Sequence, residues 1–187
     1  MLNEAVKEAK GIETDMEKFE TAVDVSTDAF IPPSYIGNEF HKLDIYKRIA
    51  SIQSQDDSDE MLEELIDRFG EPPKSVLNLL RVARIKSAAH NVYIKELTQT
   101  NDELKIVLYE KAKIDPSKIP DIISSYRSSL NFNMAQDNPY FILNMRNGNR
   151  AKAYEVLDVI EKLVNEMKVL IIEDVKEKTC DKQIKAL

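Results

Sequence analysis

The sequence predicts an α+β domain in two layers, helices laid on an antiparallel sheet. Three observations predict it. Apolar residues recur at helical spacing through residues 38–89; residues 91–145 change to the alternation of strands with one helix between them; and a last amphipathic helix fills about residues 150–169. After three leading helices the signals run β-β-α-β-β-α. Strands that alternate with helices only after a helical block, over short connections, argue against a doubly wound parallel sheet.

Taken in order, Leu2 to Ala9 reads as a short helix with Leu2, Val6 and Ala9 on one side, closed by Gly11. From Phe19 to Ser26, Phe19, Thr21, Val23 and Val25 alternate with Glu20, Ala22, Asp24 and Ser26, the pattern of a strand with one buried face. The run D-A-F-I-P-P-S-Y-I then takes an extended path imposed by two prolines, with its aromatics pinned to the core. Asn38 caps a helix to about Gln53 whose apolar stripe is Phe40, Leu43, Tyr46, Ile49 and Ala50.

Gln55 to Asp57 reads as a turn, with Ser58 or Asp59 capping the next helix. In that helix Leu62, Leu65, Ile66 and Phe69 form the core face, while Glu60, Glu64, Asp67 and Arg68 fall on the opposite side. Gly70 and Pro72 end it, Pro73 or Lys74 opens another, and Val76, Leu79, Leu80 and Ala83 form the seam of the resulting helical hairpin. Strands follow at Asn91 to Thr98, where Val92, Ile94 and Leu97 alternate imperfectly, and at Leu104, Ile106 and Leu108, with Asn101-Asp102 as the turn. Asp115-Pro116 opens a helix carrying Ile119, Ile122, Ile123, Tyr126 and Leu130 inward. Asn131 to Ala135 and Tyr140 to Met145 are two further strands, the second followed by Asn147-Gly148. The final helix, about Arg150 to Val169, buries Ala153, Val156, Leu157, Ile160, Leu163, Val164 and Met167.

Composition bounds the function. The chain has 187 residues, 43% hydrophobic and 32% charged, with no apolar run near the roughly 20 residues that span a bilayer. With no secretory signal at its start, it reads as a cytoplasmic chain without membrane contact. A net charge of −7 gives no general pull toward phosphate backbones. The single cysteine, Cys180, has no partner for an internal disulfide or a shared metal. Four glycines, none clustered, leave no phosphate loop for a nucleotide hydrolase. His41 and His90 stand alone, without the second ligand a zinc site needs. No catalytic residue, metal ligand or cofactor site is assigned to this chain.

The remaining candidate is the row Glu60, Glu64, Asp67 and Arg68. It fits a solvated helix face holding a weak Glu64–Arg68 pair. It also fits a docking face whose carboxylates meet arginines of another module while Arg68 meets an acid, although for an arbitrary helix the solvated face is the commoner case. Pattern alone does not choose. A rival surface is the basic set Lys47, Arg48, Arg81, Arg84 and Lys86, suited to a generic protein or nucleic-acid contact.

Several of these segments together resemble one family. Asp28-Ala29-Phe30-Ile31-Pro32 with Tyr35-Ile36, then Leu43 with Tyr46-Lys47-Arg48, and above all Glu64-Leu65-Ile66-Asp67-Arg68-Phe69-Gly70 through Pro73, Val76, Leu79-Leu80 and Ala83-Arg84, resemble the C-terminal domain of bacterial transcription-repair coupling factors. The resemblance covers about Phe19 to Val169, in rhythm more than identity between Asn91 and Met145. It implies that residues 1–18 are a remnant of a preceding translocase module, that residues 19–172 are the C-terminal domain, and that residues 173–187 are a tail. It further implies a longer protein that uses ATP and Mg to translocate on double-stranded DNA, displaces stalled RNA polymerase and recruits excision repair through UvrA. In that family the domain itself is non-catalytic and autoinhibitory. It docks on an N-terminal UvrB-like module and masks UvrA binding, and the matching clamp residues here are Glu64, Asp67 and Arg68.

Overall fold

The computed structural model describes residues 19–134, 138–145 and 153–172. Its elements are β1 (Ala22–Asp24), α1 (Glu39–Ala50), α2 (Gln55–Phe69), α3 (Lys74–Asn91), β2 (Ile94–Thr100) and β3 (Glu103–Leu108). After these come α4 (Ile119–Ser125), entered through a 3-10 turn at Pro116–Lys118, then β4 (Leu130–Asn133), β5 (Tyr140–Asn144) and α5 (Ala153–Met167), which ends in a 3-10 turn at Lys168–Leu170. The α+β class and the β-β-α-β-β-α order of the second half are as the sequence predicts. The N-terminal helix, the Asn147-Gly148 turn, Cys180 and the tail lie outside the described residues.

The sheet has the order β1-β2-β3-β5-β4 and is mixed, not wholly antiparallel. β1 pairs in parallel with β2, Val23 opposite Leu97, because the chain returns to the sheet only after passing through three helices. The other pairings are antiparallel, with Ile106 opposite Leu97 and Phe141 opposite Ile106. Asn101 makes the β2–β3 turn at φ 54°, a conformation asparagine tolerates. The imperfect alternation in β2 has a cause. The register shifts between Ile94 and Glu96, so that Ile94 and Leu97 both turn inward, three residues apart.

Two apolar clusters hold the domain. One joins Ile31, Ile36, Ile45, Ile49, Met61, Leu65, Val76 and Leu80. The other packs Leu97, Leu104, Ile106, Leu108, Leu130, Phe141 and Leu143 of the sheet against Ile85 and Ala89 of α3 and Leu157, Ile160, Leu163 and Val164 of α5. Among the described helices, α3 alone buries residues in both. Buried Asn78, in its second turn, donates to the carbonyl of Asp28 at 3.0 Å and so ties the incoming chain to the same helix.

Several expectations require correction. On α1 the buried line is Ile45 and Ile49, whereas Phe40 is 85% exposed, Leu43 55% exposed, and Ala50 exposed too. Tyr46 reaches the core side and its hydroxyl accepts from the Ile31 N–H at 2.8 Å, which fixes the rotation of the helix about its axis. α2 begins at Gln55, capped by Ser54 rather than Ser58 or Asp59. Ser54 Oγ accepts from the Asp57 N–H and the Asp57 carboxylate accepts from the Ser54 N–H, each at 3.0 Å, a reciprocal capping box. The acids taken for a turn are the first helical turn, where the helix dipole favours them. Within α2, Ile66 is exposed, against expectation, and Met61, which the stripe did not include, is buried. The Pro32–Pro33 segment closes a turn, with the Tyr35 N–H donating to the Pro32 carbonyl, and Phe30 faces outward. Leu130 opens β4 instead of continuing α4, because Arg127 and Ser128 take positive φ and stop the helix.

Since α3 belongs to both clusters, the 187-residue chain is expected to unfold its helical part and its sheet together. Leu80→Ala, which opens only the helical cluster, should cost about 2–5 kcal/mol and shift helix-reporting and sheet-reporting urea curves equally. Separation of the two curves would show that the clusters fold independently.

Candidate functional site

The face of interest is built on α2. Its start is fixed by the capping box and its end by Gly70, at φ 82° and ψ −170°, a conformation that side chains rarely adopt. Tyr35 locks that end: its hydroxyl lies 2.9 Å from the Gly70 carbonyl and 3.1 Å from that of Leu65, and its ring packs against Phe69. A short connection then lets Pro73 cap α3. The helix is held at both ends, and its outward residues project from a fixed rod.

Of the four residues in the predicted row, Glu60, Asp67 and Arg68 are exposed and Glu64 is half-buried. Glu60 and Asp67 make no ion pair among the described residues. Glu64 is the hub. Arg48, in the last turn of α1, donates to both of its carboxylate oxygens, and Arg68 donates to Oε1 at 2.6 Å. The Arg68 guanidinium also lies 5.0 Å from the centre of the Phe69 ring. Hydrogen bonds first from Arg48 and then from Arg68 hold the Glu64 carboxyl down at about 2. Beside this cluster a cleft of about 330 Å³ is lined by Arg48, Asp57, Glu60, Met61 and Glu64.

Sequence reasoning assigned Arg48 and Glu64 to rival surfaces, and the structure joins them. The signal that would have found the pair is the short 51–54 connection, which makes α1 and α2 neighbours and sets an arginine of one beside the acids of the other.

The rest of the basic set is scattered. Arg81 donates to Glu161, at 3.0 Å from Nε and 2.9 Å from Nη2, and also to Asp158; Arg84 donates to Glu161 at 3.3 Å. Those arginines clamp α3 to α5. Hydrogen bonding to Glu161 pushes the Arg81 pKa up, against the opposing effect of its burial. Lys47 and Lys86 are exposed on different helices. His41 lies exposed in the first turn of α1, while His90 stacks on Phe19 at 4.5 Å and meets the Thr21 hydroxyl at 3.3 Å. Among the described residues no group of three or more His, Cys, Asp or Glu is placed to hold a metal, and no helix is long and apolar enough to cross a membrane.

The geometry defines an α+β module with two cores and an ionic row on a rigid helix. Comparison with known proteins gives the family. Residues 25–119 match the TRCF domain model, and the chain belongs to that family. It is 36% identical over 136 residues to the transcription-repair-coupling factor of Bacillus subtilis, covering 72% of this chain, and 32% identical over 143 residues to that of Borreliella burgdorferi, covering 76%. In both cases it spans about 12% of the relative's length. A crystal structure of the C-terminal domain of a transcription-repair coupling factor superposes with a TM-score of 0.68 over 80% of this chain and 94% of the other, at 24% identity, which establishes the shared fold.

A carboxyl held low lends stability that is complete above its unfolded-state pKa, near 4.3, and is lost as pH falls toward about 2. For so accessible a cluster the amount is about 0.2–1 kcal/mol. Urea denaturation of the wild-type chain and of Glu64→Gln should therefore show a stability gap that is constant above about pH 5 and closes on acidification. A gap that stays constant through the acid range would contradict the ionic origin of the cluster.

Proposed function

We propose that this chain is the non-catalytic C-terminal regulatory domain of a transcription-repair coupling factor. The longer protein, on this reading, uses ATP and Mg to translocate on double-stranded DNA in the bacterial cytoplasm, displaces stalled RNA polymerase and recruits excision repair through UvrA. The domain docks through α2 on the protein's own UvrB-like module and masks UvrA binding until polymerase is engaged. One observation carries the docking reading: Glu60, Asp67 and Arg68 stand exposed on a helix fixed at both ends, beside the ion-paired hub Glu64. A preordered charged row of this kind loses little entropy on meeting a complementary surface. The basic set is a weaker alternative. Arg48, Arg81 and Arg84 already have carboxylate partners within the domain, which leaves fewer cations for phosphate.

Coupling of about 1–3 kcal/mol between the closed state and partner binding suppresses UvrA recruitment by about five- to 150-fold. Combined replacement of Asp67 and Arg68 by alanine in the full-length protein should relieve that suppression, raising both UvrA affinity and ATPase rate while the melting temperature holds. Unaltered affinity and rate in a folded double variant would sink the proposal.

A further inference from the structure

Away from the charged row, a cleft of about 410 Å³ opens where the start of α2, the C-terminal half of α3 and the end of α5 meet. That volume lies within the roughly 300–1,000 Å³ of clefts that take small ligands. Its floor is aliphatic: Ile85 and Val164 are 2% and 1% exposed, and Ala88 is half-buried. One wall is held by Ser87, whose hydroxyl donates to the Gln53 carbonyl and so ties the α1–α2 connection to α3. The rim carries amides. Gln55 donates from Nε2 to Asp59 at 2.7 Å and keeps its side-chain oxygen as an acceptor, while Asn91 and Asn165 are exposed and make no side-chain hydrogen bond among the described residues.

Charge decides what the cleft admits. Glu161 on its wall is neutralised by Arg81 and Arg84, so it does not repel an incoming acid. Lys168, in the 3-10 turn after α5, is exposed and makes no ion pair among the described residues. An aliphatic floor accepts a branched apolar side chain, and amides can pair with both the N–H and the C=O of an extended backbone. The lining holds no aromatic ring, so a nucleobase would find nothing to stack on.

On these grounds, and independently of the row on α2, we propose that this cleft binds a short acidic segment of a partner protein, one that carries a leucine-like side chain beside its carboxylate. The apolar side chain rests on Ile85, Ala88 and Val164, the segment's backbone pairs with Asn91 and Asn165, and its carboxylate meets Lys168.

The test titrates the isotope-labelled 187-residue chain with the blocked tripeptide glutamyl-leucyl-glutamate and follows backbone amide chemical shifts. It is repeated with the uncharged glutaminyl-leucyl-glutamine, with inorganic phosphate, and on Lys168→Glu and Asn165→Ala chains. Both substituted side chains are exposed, so each variant should keep the wild-type spectrum outside the cleft. Saturable shifts centred on Ser87, Ala88 and Asn165 are expected. Affinity should fall about fivefold for Lys168→Glu and for the uncharged peptide, and should fall also for Asn165→Ala. Absence of saturation, shifts centred on another face, or equal affinity for the uncharged peptide would overturn the proposal. So would phosphate that saturates the same amides as tightly as the peptide, which would make the cleft a bare anion contact, and so would a folded variant of either kind that binds as well as wild type.

Discussion

The structure depends on α3 being shared. Val76 and Leu80 face the helical cluster, and Ile85 and Ala89, further along the same rod, face the sheet. An 18-residue helix is long enough to do this, and most of a helix's stability within a protein comes from tertiary packing. Its order comes from being packed at both ends. It also carries the polar ties that set direction: Asn78, within the helical cluster's stretch, to the Asp28 carbonyl, and Arg81 and Arg84, between the clusters, to Asp158 and Glu161 of α5. The orientation of α2 relative to the sheet follows, since α2 buries Met61 and Leu65 in the cluster that Val76 and Leu80 complete.

That rigidity gives the ionic row its meaning. Exposed ion pairs contribute little to stability in themselves, and the hub at Glu64 adds only modestly to the fold. It fixes where two guanidiniums stand in a chain whose net charge is −7. The arginines at the α3–α5 seam work differently. Glu161 lies between Arg81 and Arg84 at the edge of the sheet cluster, so their charge is spent on holding helices together.

Much of this was legible in the sequence, and the misses have specific causes. Strict alternation at Leu104, Ile106 and Leu108 reads directly because a strand has period two and one buried face. The start of α2 was missed because serine and aspartate signal both turns and caps, and only the reciprocal Ser54–Asp57 bonds distinguish them. The α1 stripe was misplaced because the helix offers two apolar lines, Phe40 with Leu43 and Ile45 with Ile49. Periodicity does not say which line faces a core; the Tyr46 hydroxyl on the Ile31 N–H decides it. The parallel pairing of β1 is a matter of topology, invisible to local pattern. Of the candidate site, the outward placement of Glu60, Asp67 and Arg68 was legible from spacing. The junction of Arg48 with Glu64 was not, since it depends on how two helices cross.

The most direct test of the central claim is carboxyl footprinting of Glu60 and Asp67, comparing the resting full-length protein with the 187-residue chain. If α2 is covered by a sister module at rest, both carboxylates label several-fold more slowly in the full-length protein. Equal labelling in the two would contradict the account.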